Sequence, residues 1–324
     1  MLEKKLILVV VSVVTLFAFS SPILLVSNAT TLTSAQWKQT VLANPVSSVG
    51  CYEASYPSTD WQAVQCGTAP SAIMTVGNFC CDKVGQVPSG DNIQTSTGDF
   101  GAISGLTSET DNVSGTNYYS IQDNTNHFST SYGTFGTVTG FMQFIFQNDP
   151  GSTKGIVFIQ YWLLNYPASH QNTCPNTNAY LSRWTAQNGA CVADSGTMNT
   201  TSLENIGNLG YLSLAGYAKC SNCGSNDEVL FCSQYNCWTV VEPDSILSLA
   251  SRWTNSEWNI FGYNDYSQAQ FNSGTSLTVD VYLSISGGGS FTPSCISTSY
   301  TGETNNLSVG SCSTSSGAYS FTES

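Results

Sequence analysis

Short runs of β-branched and aromatic residues alternate with Gly, Asn, Ser and Pro along most of the chain after residue 50. The turn residues recur at the short intervals that are typical of all-β domains. The clearest strand candidates are residues 141–146, 155–166, 228–231 and 276–284. This pattern predicts a single β-sandwich domain of two antiparallel sheets over residues 51–324, with short peripheral helices and disulfide-stapled loops.

Helix signals are few. Residues 243–253 have an acidic first turn, and residues 202–209 begin with Ser202, which can act as an N-cap. We expect a short helix at each of these two places. The segment 80–116 is rich in Gly, Ser and Asp, and this composition favours peripheral loops.

Residues 1–29 have the features of a secretory signal peptide. A short basic stretch precedes an apolar run, and Ser27 and Ala29 supply the small residues of a cleavage site. The alternative is an uncleaved anchor, because residues 6–26 are long enough to span a bilayer. After cleavage we expect no membrane contact, and residues 30–50 would be an N-terminal segment or a short propeptide.

The composition is unusually poor in charge. The 324 residues include 21 acidic and 8 basic side chains, and only 9% of the residues are charged. Eight scattered Lys and Arg cannot neutralise a phosphate backbone, which argues against nucleic-acid binding. In strong acid the carboxylates lose their charge and little self-repulsion remains, so we hypothesise a secreted protein that works in an acidic medium. The alternative is a polar surface without pH preference.

Sequons at Asn112, Asn199 and Asn306 indicate a glycoprotein.

Twelve cysteines in an exported chain indicate disulfide bonds. Proximity in sequence favours the pairs Cys51–Cys66, Cys174–Cys191 and Cys295–Cys312. The cluster at positions 220, 223, 232 and 237 opens like half of a zinc site, but zinc needs thiolates, which acid protonates. We expect two nested disulfides there, Cys220–Cys237 and Cys223–Cys232. The partners of Cys80 and Cys81 stay open.

Two familiar hydrolase patterns are poorly matched. His127 and His170 lie in Asn-rich stretches without a nucleophile elbow, so we interpret both as solvated loop residues. Asp194 begins an Asp-Ser-Gly-Thr sequence of the aspartic-peptidase kind, but that chemistry needs a second such aspartate and the chain has none. We therefore interpret residues 192–197 as a loop. We expect neither a cofactor nor a metal.

Two polar residues interrupt aromatic strands and form a candidate catalytic pair. With a period of two, Gln143 shares a strand face with Phe141 and Ile145, and Glu257 shares one with Asn259. A carboxyl group can act as a general base, and a nearby amide can bind a water molecule or an oxyanion. The alternative is that both side chains decorate a solvated sheet face.

The stretches around these two residues resemble the glutamic peptidases of the eqolisin type. Members of that family are secreted acid endopeptidases with a concanavalin A-like, jelly-roll β-sandwich. The likeness rests on three stretches: Met142-Gln143 followed by the aromatic residues 162–167, Ser256-Glu257-Trp258, and the strand candidate 271–279.

Other parts of the chain depart from that family or resemble different proteins. Leu164 stands where the family has a substrate-side Glu, and Phe261-Gly262 replaces an acidic pair. The motifs at 160–166, 257–262 and 301–307 resemble a set of secreted bacterial and archaeal proteins without an assigned function.

The resemblance to glutamic peptidases implies roles for individual residues. Glu257 would be the general base, and Gln143 would bind the attacking water and then the oxyanion. A polypeptide substrate would lie in a cleft lined by Tyr161, Trp162, Tyr166 and Trp258. An ordinary carboxyl pKa suits this chemistry in acid. The competing hypothesis is a non-catalytic sandwich that binds carbohydrate or forms part of a cell-surface layer.

Overall fold

The computed structural model describes residues 32–68, 82–132, 137–166, 173–175, 181, 184–187, 189–220, 222–264 and 266–324. Two large antiparallel sheets and a small third sheet dominate this part of the chain, which confirms the predicted all-β sandwich. The predicted signal peptide lies outside the described residues, as do His170, Cys80 and Cys81.

The strands are arranged in three sheets. In chain order they are β1 (Gly50–Ser55), β2 (Gln62–Val64), β3 (Asp82–Gln86), β4 (Ile93–Ser104), β5 (Glu109–Asp111), β6 (Gly115–Thr116), β7 (Tyr119–Thr125), β8 (Phe128–Ser131), β9 (Thr137–Asp149), β10 (Lys154–Leu164), β11 (Thr185–Gln187), β12 (Ala190–Asp194), β13 (Met198–Asn199), β14 (Ser213–Ala218), β15 (Asn226–Cys232), β16 (Asn236–Pro243), β17 (Asn255–Phe261), β18 (Gln268–Phe271), β19 (Ser276–Ile285), β20 (Ser294–Thr298), β21 (Thr304–Asn305), β22 (Val309–Ser315) and β23 (Ala318–Glu323). The first sheet runs β2-β1-β16-β15-β14-β4-β19-β23-β22. The second runs β11-β12-β10-β9-β7-β17-β3-β20, and β21-β18-β5-β6 form the small sheet.

Side chains from the facing sides of the two large sheets interlock in the core. Phe146 of β9 stacks on Phe231 of β15, with ring centroids 3.7 Å apart and an interplanar angle of 2°. Phe144 lies over Gly216 of β14. Because side chains alternate along a strand, Gln143 points to the other side of the second sheet. We call the side of each sheet that is turned away from the other sheet its outer face.

Strand β4 corrects the expectation of peripheral loops over residues 80–116. It lies in the first sheet between β14 and β19. Its core-facing side carries Ser96 and Gly98, because Trp258 from the second sheet fills the space: a Cβ on Gly98 would come within 2.2 Å of the indole. Ser96 and Gly98 interrupt the hydrophobic alternation between Ile93 and Phe100, so the sequence pattern of this strand looks like that of a loop.

The segment before β1 contains a helix, α1 (Ser34–Leu42), that packs on the outer face of the first sheet. The Thr33 side chain caps it by accepting a hydrogen bond from the backbone N–H of Gln36. Trp37 is fully buried, and its indole N–H donates to the carbonyl of Ser58 at 2.6 Å. In the part of the chain that the structure describes, no helix combines the length and apolar character that crossing a membrane requires.

Both helices expected from the sequence are short 3₁₀ helices instead. The first covers Ile206–Tyr211, and Asn205 rather than Ser202 caps it. The second region is divided into Asp244–Ile246 and Leu249–Ser251. Ser248 between them adopts the left-handed conformation with φ 58°, which interrupts a continuous right-handed helix.

The disulfides confirm three predicted pairs and correct two. Cys51–Cys66, Cys174–Cys191 and Cys295–Cys312 are bonded as expected. The nested pairs are wrong, since the bonds are Cys220–Cys223 and Cys232–Cys237. Strand β15 separates the two halves of the cluster: its seven residues span roughly 23 Å at about 3.3 Å per residue, too far for a bond between them.

Replacement of Trp37 tests whether α1 belongs to the stable fold. Trp37→Ala should lower the free energy of unfolding by about 3–5 kcal/mol, because it removes a buried indole and its hydrogen bond. Gln39→Ala, at an exposed position of the same helix, should change it by about 0.5 kcal/mol or less. Urea denaturation measures both. Equally small effects would show that α1 contributes little to the stability of the sandwich.

Candidate active site

Gln143 and Glu257 lie on the same face of the same sheet. Gln143 is in β9 and Glu257 is in β17, and β7 runs between these two strands. Asn124 of β7 is the direct cross-strand neighbour of both residues. The expected pair is therefore assembled on the outer face of the second sheet, with one asparagine between its members.

The pair belongs to a longer row of polar side chains. Gln160 of β10 lies opposite Gln143, and Asp194 of β12 lies opposite Gln160. We call Asp194, Gln160, Gln143, Asn124 and Glu257 the polar row. Its five members come from five neighbouring strands, and Gln160, Gln143, Asn124 and Glu257 are 0% exposed. This face is therefore not solvated, and the alternative interpretation, in which both side chains decorate a solvated sheet face, is wrong.

One indole sets the direction of the hydrogen bonds along the polar row. Trp162 Nε1–H can only donate, and it donates to Gln143 Oε1 at 2.8 Å and to Gln160 Oε1 at 3.1 Å. The amide N–H groups of Gln143 must then point the other way, where Nε2 donates to Asn124 Oδ1 at 3.0 Å. Asn124 Nδ2 in turn donates to Glu257 Oε2 at 3.1 Å.

Two further hydrogen bonds hold the amides of the row. Gln143 Nε2 makes a second bond, to Gln122 Oε1 at 3.0 Å. At the far end, Gln160 Nε2 donates to Asp194 Oδ1 at 2.8 Å. Every amide of the row thus has a defined orientation, and the N–H side of Gln143 is directed towards Glu257.

Burial controls the protonation of Glu257. Loss of solvent raises the pKa of its carboxyl group well above the ordinary range, and the nearby carboxyl group of Asp82 raises it further. Hydrogen bonds from Ser299, Tyr300 and Asn124 oppose this shift without cancelling it. Glu257 is therefore a neutral carboxylic acid in this form at acid pH. At the other end of the polar row, burial raises the pKa of Asp194 to about 7.

A segment after β20 covers the carboxyl group. The backbone N–H of Tyr300 donates to both oxygens of Glu257, at 3.1 and 3.0 Å. The Tyr300 hydroxyl accepts a hydrogen bond from Asn255 at 2.7 Å. The ring of His127 lies between Tyr300 and Phe141, with centroid distances of 5.4 and 5.2 Å. His127 is thus packed beside the candidate site, which corrects its interpretation as a solvated loop residue.

The four aromatic residues expected to line a substrate cleft are all buried. Tyr161 and Trp258 face the first sheet, and Trp258 Nε1 donates to the carbonyl of Leu214 there. Tyr166 also packs in the core between the large sheets. Trp162 alone shares the outer face with Gln143, and its role there is to orient the amides.

Sequence reasoning missed the residues that connect the pair. Gln160 interrupts an apolar strand, as Gln143 does, and this was an available signal. Asn124 gave no such signal, because most residues of β7 are polar. Asp194 is the last residue of β12 rather than part of a plain loop. Cross-strand register joins these residues, and register cannot be read from one strand alone.

A second group of buried carboxyl groups lies between the sheets. Asp227 of β15 and Glu242 of β16 are direct cross-strand neighbours. The pKa of Asp227 is raised well above the ordinary range by burial and by the adjacent carboxyl group of Asp244. Two carboxyl groups in contact are stable when they share a proton. Among the described residues, no group of His, Cys, Asp and Glu has an arrangement that could hold a metal ion.

Comparison with known proteins adds no relative. The chain matches no protein-family model, and neither a curated protein nor a solved structure is similar enough to count as a match. Function must therefore be inferred from the geometry of the polar row and from the resemblance in sequence motifs.

The buried carboxyl groups predict a stability that is highest in acid. Burial raises pKa values throughout the fold: to about 7 for Asp123, Glu204 and Glu242, about 8 for Glu228 and Glu323, and about 9 for Glu109. The folded state then binds protons that the unfolded chain has already lost at about pH 4. Stability should be highest below about pH 4 and should fall as the pH rises through the folded pKa values.

Urea denaturation between pH 3 and pH 9 measures this slope. Asp123→Asn removes one titrating group whose carboxyl accepts a hydrogen bond from Ser256, so it should make the slope less steep. Asp60→Asn, at an exposed position, should leave the slope unchanged. A wild-type stability that increases from pH 4 to pH 7 would contradict this prediction.

Proposed function

We propose that the protein is a secreted endopeptidase of the glutamic type that uses Gln143 and Glu257. The observation that carries the proposal is the register of β9, β7 and β17, which aligns the two side chains on one face and joins them through Asn124. The motif resemblance selected the same two residues from sequence. The substrate would be a polypeptide.

Each member of the pair suits one step of peptide hydrolysis. Ionised Glu257 would take a proton from a water molecule that attacks the peptide carbonyl carbon. The amide N–H of Gln143 would donate to the carbonyl oxygen as it becomes an oxyanion. Glu257 would then return the proton to the leaving amine as the C–N bond breaks. No other group is required to balance the step.

Activity would require the hydrogen bonds that cover Glu257 and Gln143 to open. The Tyr300 N–H occupies the carboxyl oxygens of Glu257, and both N–H groups of Gln143 are engaged. Substrate would have to displace Tyr300 and free one N–H of Gln143. Readmission of solvent would lower the pKa of Glu257 towards the usual carboxyl value, and this would allow the ionised base to exist in acid.

Two features support the proposed location. The described part of the chain has five disulfides, which favour an oxidising, extracellular compartment. The buried carboxyl groups favour an acidic medium, because their protonated forms are the ones that the fold stabilises. Both features would equally suit a non-catalytic secreted sandwich, and the burial of Glu257 favours that second candidate function.

Cleavage of a denatured protein substrate tests the proposal. Wild-type protein should release peptides at acid pH, and Glu257→Gln and Gln143→Ala should each lower kcat/KM by about 10²-fold or more, since a base and an oxyanion donor are lost. Glu228→Gln is the matched control, because it removes a buried carboxyl from the first sheet. It should stay within a few-fold of wild type.

Near-UV circular dichroism should confirm that all variants are folded, and product mass spectrometry should identify the cleaved bonds. Wild-type protein that is folded and processed but inactive at every pH from 2 to 8 would overturn the proposal. Activity that persists in Glu257→Gln would do the same, and would move the catalytic role to another group.

A further inference from the structure

Two neighbouring cavities lie on the outer face of the first sheet, on the opposite side of the sandwich from the polar row. The larger is a cavity of about 310 Å³ between the end of α1 and strands β4, β14 and β19. The polar side chains that line this cavity include Gln94, Thr95, Thr97, Asn222 and Ser284. A volume of this size is at the lower end of the range for small-ligand sites, about 300–1,000 Å³.

A second cavity of about 150 Å³ lies over β19, β22 and β23, and its lining includes the hydroxyl groups of Ser313, Thr314 and Ser320. Tyr282 lines both cavities, so its side chain stands between them. We call the two cavities with this shared residue the Tyr282 groove.

Tyr282 presents an aromatic ring to solvent from a rigid support. The side chain is 54% exposed although it lies within a ten-residue strand of the first sheet. Its cross-strand neighbours are the small residues Thr97 and Ala318, which leave the ring uncovered. A tyrosine offers a large contact area with little loss of conformational entropy, which suits it as a binding platform.

The lining of the larger cavity selects for an uncharged ligand. It contains hydroxyl groups, amides and the ring of Tyr217, and it includes no acidic or basic side chain. The Tyr217 hydroxyl is already fixed by donation to the carbonyl of Leu42 at 2.7 Å. Asp280 lines the smaller cavity, where a carboxyl group can accept a hydrogen bond from a hydroxyl group.

These features match the chemistry of a sugar chain. The C–H face of a sugar ring is apolar and can pack on an aromatic ring, and its edge carries hydroxyl groups that pair with Ser, Thr, Asn and Gln. A single sugar would fill one cavity, whereas a chain of several units would extend across Tyr282 into the other. We propose that the Tyr282 groove binds an uncharged oligosaccharide, with Tyr282 packed against a sugar ring between two subsites.

This site does not depend on the proposed peptidase function. Tyr282 is on the first sheet and Glu257 is on the second, and their side chains lie on the opposite outer faces of the sandwich. Loss of either site should therefore leave the other intact. A glycan-binding groove would place the protein at a polysaccharide surface, whichever reaction the polar row performs.

Isothermal titration calorimetry at pH 4 tests the proposal with defined probes. The probes are the uncharged disaccharides to hexasaccharides of β-1,4-glucose, β-1,3-glucose, β-1,4-mannose and N-acetylglucosamine, with oligogalacturonate as the charged comparison. Wild-type protein should bind at least one uncharged probe, and longer chains should bind more tightly than the disaccharide. Tyr282→Ala should weaken that binding by tenfold or more.

Further variants distinguish binding in the Tyr282 groove from binding elsewhere on the protein. Thr97→Leu keeps Tyr282 but removes a hydroxyl group from the larger cavity and narrows it, so it should also weaken binding. Tyr235→Ala removes another exposed tyrosine, 49% exposed, that lines neither cavity, and should bind like wild type. Glu257→Gln should also bind like wild type. The proposal is overturned if no uncharged probe binds at 10 mM, if oligogalacturonate binds better, or if Tyr282→Ala binds unchanged.

Discussion

The structure depends on carboxyl groups that are buried without enough cations to pair with them. The chain has 21 acidic side chains and only 8 Lys and Arg, yet Asp123, Asp227, Glu228 and Glu257 are fully buried. Amides, hydroxyl groups and backbone N–H groups take the place of cations around them: Asn124 and Tyr300 for Glu257, Thr239 and Val46 for Glu228, and Ser256 for Asp123. Such partners stabilise an ionised carboxyl group less than a cation would. The buried carboxyl groups therefore become neutral by binding a proton.

The same constraint shapes the candidate site. A charged row of five side chains could not be buried on a sheet face, but three amides between two carboxyl groups can satisfy one another. Trp162 gives the row its direction, since an indole can only donate. Gln143 and Glu257 are thus held by one polar network, while burial and the nearby carboxyl group of Asp82 keep Glu257 neutral. Catalysis would require the contact between Tyr300 and Glu257 to open and one N–H of Gln143 to be freed.

Local patterns predicted the parts of the fold that local chemistry determines. The strands around residues 141–146 and 155–166, and the alternation that separates Gln143 from Phe144, follow from a period of two. Three disulfides followed from proximity in sequence. The register of β9, β7 and β17 places Gln143 and Glu257 on one face. The resemblance to glutamic peptidases and the catalytic role stay proposals.

The features that the sequence concealed depend on contacts between strands that are distant in sequence. Strand β4 looks like a loop because Gly98 makes room for Trp258, which is 160 residues away along the chain (258 − 98). His127 lies in an Asn-rich stretch but packs between Phe141 and Tyr300. The role of Asn124 depends on its two cross-strand neighbours, Gln143 and Glu257. No short sequence window contains Gly98 with Trp258, His127 with Tyr300, or Asn124 with Glu257.

The protonation of Glu257 in the folded protein can be measured directly. Carbon-13 NMR of protein labelled at the glutamate carboxyl carbons would follow each group with pH, and the signal missing from Glu257→Gln would identify this residue. We expect Glu257 to keep the chemical shift of a protonated carboxyl at pH values where exposed glutamates have ionised. A midpoint at the ordinary glutamate pKa of about 4.3 would contradict the neutral, buried carboxyl on which the polar row depends.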